Sequence, residues 1–292
     1  MNKTTIIIPI LLLHLFNTAL AQDTTLNTKF PVTGTFKGTY IQNQASVESP
    51  KKGVLQVMIM HRFGRISDGL YDLFGLDNAT IRLGFDYGIT DKLAIGIGRS
   101  SYEKTYDASF KYRIFTQQSD NSMPLTTSLY AGLAYVTLHY PEKPYYDGKY
   151  RTNYFTQLLI ARKFGSFFSL QLTPSWIHYN LVPEADDKND VFAVGLGGRF
   201  RISKRVSFNT EYTYLLPDQV NSTQVYNSFS AGFDIETGGH VFQFVFSNSQ
   251  GLVPTSFISQ TAYQWRDGDI YFGFNLSRVF QLKKKKTVPS GY

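Results

Sequence analysis

From about residue 50 onward the chain is written in segments of around ten residues in which apolar and polar side chains alternate. In "ATIRLGFDYG" (79–88), Ile81, Leu83, Phe85 and Tyr87 share one face, and Arg82, Gly84 and Asp86 share the other. "TYDASFKYRIF" sets Tyr106, Ala108, Phe110, Tyr112 and Ile114 against Asp107, Ser109, Lys111 and Arg113. Later segments oppose Val206, Phe208, Tyr212 and Tyr214 to Ser207, Asn209, Glu211 and Thr213, and Phe229, Ala231, Phe233 and Ile235 to Ser228, Ser230 and Asp234. Side chains of an extended strand point to opposite faces in turn, so a period of two predicts strands, and helical spacing fits none of these segments.

Alternation describes a secreted β-sandwich as well as a barrel, and the connections discriminate. Tight turns at 88–92, 164–166, 203–205 and 237–239 interleave with longer polar stretches at 64–78, 139–152, 180–190, 217–225 and 248–269, and only the short connection near 101–104 and the medium one near 117–124 blur this pattern. Short turns at one end and long loops at the other characterise an outer-membrane barrel, with the turns periplasmic. The expected strands are 53–63, 79–88, 93–101, 105–116, 126–138, 153–164, 167–180, 190–202, 206–216, 226–236, 240–248 and 270–280. The fold class is therefore all-β, a transmembrane antiparallel barrel of about twelve strands with both termini on the turn side. Tyr87, Tyr179, Tyr214, Tyr226 and Tyr271, at strand ends, would form interfacial girdles.

Aromatic residues make up 16% of the chain and charged residues 17%, the latter low against about a quarter in soluble domains. There is no cysteine, which removes disulfides, thiolate metal sites and thiol nucleophiles. The formal charge of +7 includes the Lys283–Lys286 run, read as a solvated tail and not as a nucleic-acid patch. The start, "MNKTTIIIPILLLHLFNTALAQ", reads as a signal peptide cleaved after Ala21. The expected organisation is a signal peptide at 1–21, a periplasmic segment or lumen plug at 22–50, the barrel at 51–281 and a basic tail at 282–292.

Charges on the polar strand faces must point inward, because Arg or Lys facing lipid at mid-depth costs roughly 2–4 kcal/mol. The candidate lumen charges are Arg82, Asp86, Asp107, Lys111, Arg113, Arg199, Arg201, Glu211 and Asp234. They form either an ion-paired plug of side chains or a selectivity lining for a small polar or anionic solute. His61, Arg62, Phe74 and Asp77 are placed at the rim and mouth. The apolar "GLYDLFGLD" is expected to fold as a short helix or compact turn over or into that mouth. No metal site or cofactor is expected. The acidic tip 184–190 reads as a solvated loop, and the tyrosine-rich 140–150 as the better surface for contact.

At "HRFG", "LFGLD", "LGFDYGITDKLAIGIGRS" and "YDASFKYRIF" the chain resembles a family of uncharacterised outer-membrane β-barrels of Bacteroidota. "TFKGTYIQNQASVE" (35–48) is similar to that family's N-terminal stretch, and the resemblance extends to the last strand. It implies the fold and the outer membrane and brings no activity or catalytic residues with it; the expected partners are outer-membrane lipid and lipopolysaccharide. The function expected is a channel or scaffold for a small polar solute or a partner, not an enzyme. The alternatives are a barrel-embedded hydrolase using a rim histidine, or a soluble binding sandwich.

Overall fold

The computed structural model describes residues 29–282. The expected signal peptide and the Lys283–Lys286 run lie outside the described residues. Twelve antiparallel strands close into one barrel, each bonded to its sequence neighbours and β1 to β12. They are β1 (Val54–Arg65), β2 (Ala79–Gly88), β3 (Leu93–Ser100), β4 (Tyr106–Phe115), β5 (Thr126–Tyr135), β6 (Thr152–Phe164), β7 (Phe168–Tyr179), β8 (Asp190–Arg201), β9 (Val206–Leu215), β10 (Ser228–Thr237), β11 (His240–Ser247) and β12 (Tyr271–Gln281). The closing seam runs in register from Val54 opposite Gln281 to Arg62 opposite Gly273, then shifts before Arg65. Closure leaves no unpaired strand edge, which a hydrocarbon environment requires, and it excludes the two-sheet sandwich.

The barrel is apolar outside and polar inside. Ile81, Leu83, Ile95 and Ile97 are exposed on the outer wall, whereas Arg62, Arg82, Asp107, Gln171, Glu211 and Asn275 are buried. An exposed apolar band around a buried polar lining is the inverse of a soluble protein and marks a wall that faces lipid. Most tight connections gather at one end, here the turn end, and most longer ones at the other, the loop end; the short link 101–105 at the loop end and the longer link 116–125 at the turn end are the exceptions.

Two segments fill the interior. Residues 35–47 enter from the turn end, where Val32 donates to the Gln117 carbonyl at 2.8 Å. They turn back as a hairpin, with Tyr40 bridged to Ala45 and the Ile41 N–H on the Gln44 carbonyl at 2.8 Å. At the loop end, residues 251–259 dip into the mouth around the short helix α1 (Pro254–Phe257), with Leu252, Phe257 and Ile258 buried. One apolar cluster joins Phe36, Ile41 and Val47 of the hairpin to Met58, Met60, Phe155 and Leu159 of the wall and to Leu252 and Phe257 of the mouth segment.

Candidate functional site

A hairpin inside a barrel must find partners for its backbone donors and acceptors, since a buried unpaired peptide group costs about as much as a lost hydrogen bond. The inward-facing residues supply them by charge type. The Glu211 carboxylate accepts from three successive N–H groups at the hairpin tip, those of Gln42 at 3.1 Å, Asn43 at 2.8 Å and Gln44 at 3.0 Å. Consecutive N–H groups form a concave anion site, and here a carboxylate of the wall occupies it.

The cations take the carbonyls. Lys111 Nζ donates to the carbonyls of Thr39, Ser46 and Glu48 at 3.2, 2.8 and 2.9 Å. Arg113 reaches the Val47 carbonyl at 2.9 Å, and Arg199 reaches those of Gly34 and Thr35 at 3.0 and 3.1 Å. Neutral amides complete the cradle. Gln171 donates to the Ala45 carbonyl and accepts from the Val47 N–H, Gln243 donates to Ile41 and Asn275 to Gln42.

Two inward glycines give the hairpin room. A Cβ at Gly197 would stand 2.3 Å from Ile41 Cδ1, and one at Gly195 would stand 2.7 Å from Gln44 Oε1. The G-x-G spacing of "VGLGG" thins one inner face of β8 where the tip rests.

Arg82 forms a two-pronged ion pair with Asp107, its Nε donating at 2.8 Å, a fork geometry that suits guanidinium and carboxylate. Asp86 lines a cavity of about 10 Å³ with Lys111, Ser109 and Tyr130. Asp234 accepts from Gln243 at 2.8 Å. Arg201 is at the end of β8 and bonds the Ser203 carbonyl of the next turn at 3.2 Å, so it does not line the middle of the lumen. The interior is filled by hairpin backbone and an apolar cluster more than by ion-paired side chains.

The rim assignments need correction. Arg62 is wholly buried and faces inward, donating to Asn43 Oδ1 at 2.7 Å and Asn275 Oδ1 at 2.9 Å. His61 therefore faces outward, stacked on Phe274 with ring centroids 5.0 Å apart. Phe74 is 54% exposed on a compact turn of two short 3-10 segments, Ile66–Asp68 and Leu73–Gly75. That turn packs Gly75 against Gly64, and the mouth is covered by 251–259 instead. Asp77 is exposed on the same turn. His178 faces outward beside Asp190, with Nδ1 to Oδ1 at 2.9 Å. Ser175 points to the other face of β7, where it accepts from Gln157. Among the described residues no cluster of His, Asp or Glu is arranged to hold a metal ion.

Sequence reasoning missed Gln171, Gln243, Asn275 and the role of Asn43. Their signal was present as large amides on inward strand positions and an Asn at a turn, but which carbonyl each meets is set by tertiary placement.

Among solved structures, the fold is similar to the NanC porin (9% identity, 77% of this chain and 98% of that one, TM-score 0.47) and the KdgM porin (9%, 77% and 99%, 0.48). It is also similar to the COG4313 outer membrane channel from Pseudomonas putida F1 (14%, 80% and 97%, 0.45). No curated protein matches in sequence. A family model described as a membrane-bound β-barrel domain, DUF5777, matches residues 36–280, from the buried hairpin to the last strand, and the chain belongs to that family.

Proposed function

We propose that this barrel is an outer-membrane channel for a small polar or anionic solute, held shut by its own N-terminal hairpin. The observation that carries this reading is the use of Lys111, Arg113, Arg199 and Glu211, the groups a solute would meet, to bind hairpin backbone. A plug held by hydrogen bonds and threaded from the turn end can be withdrawn without breaking the wall. Once withdrawn it leaves more inward cations than inward anions among the residues that held it, which favours anions. The apolar outer band at Ile81, Leu83, Ile95 and Ile97 supports contact with membrane lipid and, on the loop side, lipopolysaccharide. Aromatic packing of His61 on the outer face argues against a hydrolase centred there.

Planar-bilayer recording tests the reading. The full chain should be closed for most of the record, and a variant with 35–47 replaced by a Gly/Ser linker should conduct steadily with anion preference. That preference should fall in Lys111→Ala and Arg199→Ala on the linker background. A linker variant that remains a folded barrel yet passes no current, even with residues 251–259 also replaced by a linker, sinks the channel reading and leaves a scaffold.

A further inference from the structure

The loop end holds a cavity of about 380 Å³, within the roughly 300–1,000 Å³ typical of small-ligand sites. The connections after β3, β5, β7, β9 and β11 all contribute to it, and strand residues Asn153 and Val191 line its wall. It is separate from the hairpin cradle, and the channel reading does not use it.

Its wall is aromatic and well fixed. The Tyr140 and Tyr146 rings meet edge to face with centroids 5.4 Å apart. Arg151 lies over the Tyr146 ring at 4.7 Å, bonds the Tyr146 carbonyl at 2.7 Å and bonds the Leu138 carbonyl at 2.7 Å. Tyr179 holds its hydroxyl on the Thr255 carbonyl at 2.5 Å. Such an arrangement does not need to be ordered again when a ligand arrives.

A carboxyl reaches this wall from a strained turn. Glu103 and Lys104 both have φ of 50°, a left-handed conformation that non-glycine residues rarely hold, and which collects at binding sites. The turn is pinned by Leu138 N–H on the Glu103 carbonyl at 3.1 Å and Thr137 Oγ1 on the Lys104 carbonyl at 2.5 Å. The Tyr140 hydroxyl donates to Glu103 Oε1 at 3.4 Å. Burial pushes the Glu103 carboxyl above its ordinary range, against the lowering effect of that hydrogen bond.

We propose that this vestibule binds a neutral carbohydrate of one or two sugar rings. An anion would meet Glu103 and Asp187, and a cation would meet Lys143 and Lys188, so neither sign is favoured by the lining. A polyol uses both kinds of partner, since each hydroxyl donates and accepts. Tyrosine rings supply flat apolar faces for the C–H side of a pyranose, with hydroxyls at their edges.

The test is saturation-transfer NMR and calorimetry on the full chain in a sugar-free amine-oxide detergent, with maltose, cellobiose, chitobiose and lactose as probes, and choline and acetate as ionic controls. At least one disaccharide should bind, and its affinity should drop about tenfold or more in Tyr140→Ala and in Glu103→Gln, with Tyr71→Ala unchanged. Heat-modifiable gel mobility shows that each variant is folded, and Tyr140→Phe retains the stacking face. The proposal is overturned if all four sugars fail to bind, if choline or acetate alone binds, or if sugar binding survives both substitutions in folded protein. None of these outcomes depends on whether the lumen conducts, so failure here is distinct from failure of the channel reading.

Discussion

The guanidinium of Arg62, on β1, donates to Asn43 Oδ1 at 2.7 Å, and Asn43 passes that contact across the barrel interior. Its N–H bonds Glu211 on β9, and its amide nitrogen donates to Ser230 on β10 and Ser247 on β11 at 3.0 and 3.1 Å. Asn43→Ala removes the acceptor of a buried charged donor, a loss of about 1.5–3 kcal/mol. The barrel should remain folded while residues 39–46 exchange amide hydrogens faster, with brief openings in bilayer recordings. Exchange at those residues equal to that of the parent protein would show the contact to be idle.

Steric room at β8 makes a second expectation. Gly197→Val places side-chain atoms where Ile41 Cδ1 now lies, and overpacking of a filled interior costs typically about 1–3 kcal/mol. The hairpin should be partly expelled, seen as protease cleavage between residues 35 and 47. Adding Ile41→Ala should restore protection, and failure of that rescue would place the effect in the strand itself.

Arg82 on β2 and Asp107 on β4 pair within the wall. Arg82→Ala leaves a buried carboxylate without its partner, a change that costs about 3–5 kcal/mol in other proteins. The midpoint of urea unfolding in lipid vesicles should fall accordingly. The double variant Arg82→Met with Asp107→Leu should recover most of the loss, because paired apolar replacements leave no stranded charge.

Asp187 ties two loops together. Burial raises its carboxyl, but the Ser222 side chain and the N–H groups of Asn221, Ser222 and Glu184 outweigh this and hold it below the usual carboxylate range. Its Oδ1 accepts from Asn221 at 2.6 Å and Ser222 at 2.9 Å, with Lys188 next in sequence. A depressed folded value means the tie is fully present above the unfolded value of about 3.9 and is lost as pH falls through the folded one. Hydrogen exchange at 180–189 and 216–227, taken relative to the intrinsic rate at each pH, should be slow at neutral pH and accelerate only in strong acid. In Asp187→Asn it should be fast throughout.

The strands were legible because the alternation is imposed residue by residue. Ile81 and Leu83 face out and Arg82 faces in as their spacing requires, and the predicted limits of β2 coincide with the observed ones. The mouth was misread because local apolarity does not say which neighbour a loop covers. "LFGLD" leaves Leu73, Phe74 and Leu76 exposed, whereas Leu252, Val253, Phe257 and Ile258 are buried inside a stretch read as polar. His61 and Arg62 show the same limit at one-residue scale. Their position near the end of the strand suggests the rim for both, yet alternation sends the imidazole to the outer face and the guanidinium to the interior. The partners of Glu211 are more than 160 residues away in sequence, and no local pattern encodes such a pairing.

The closing seam joins the first strand of the wall to the last, and the hairpin is made before either. Its tip bonds one residue on each side of that seam, Asn43 to Arg62 on β1 and the Gln42 carbonyl to Asn275 on β12. Because a single tip holds both strands from within, it works as an internal clasp against lateral parting of the seam.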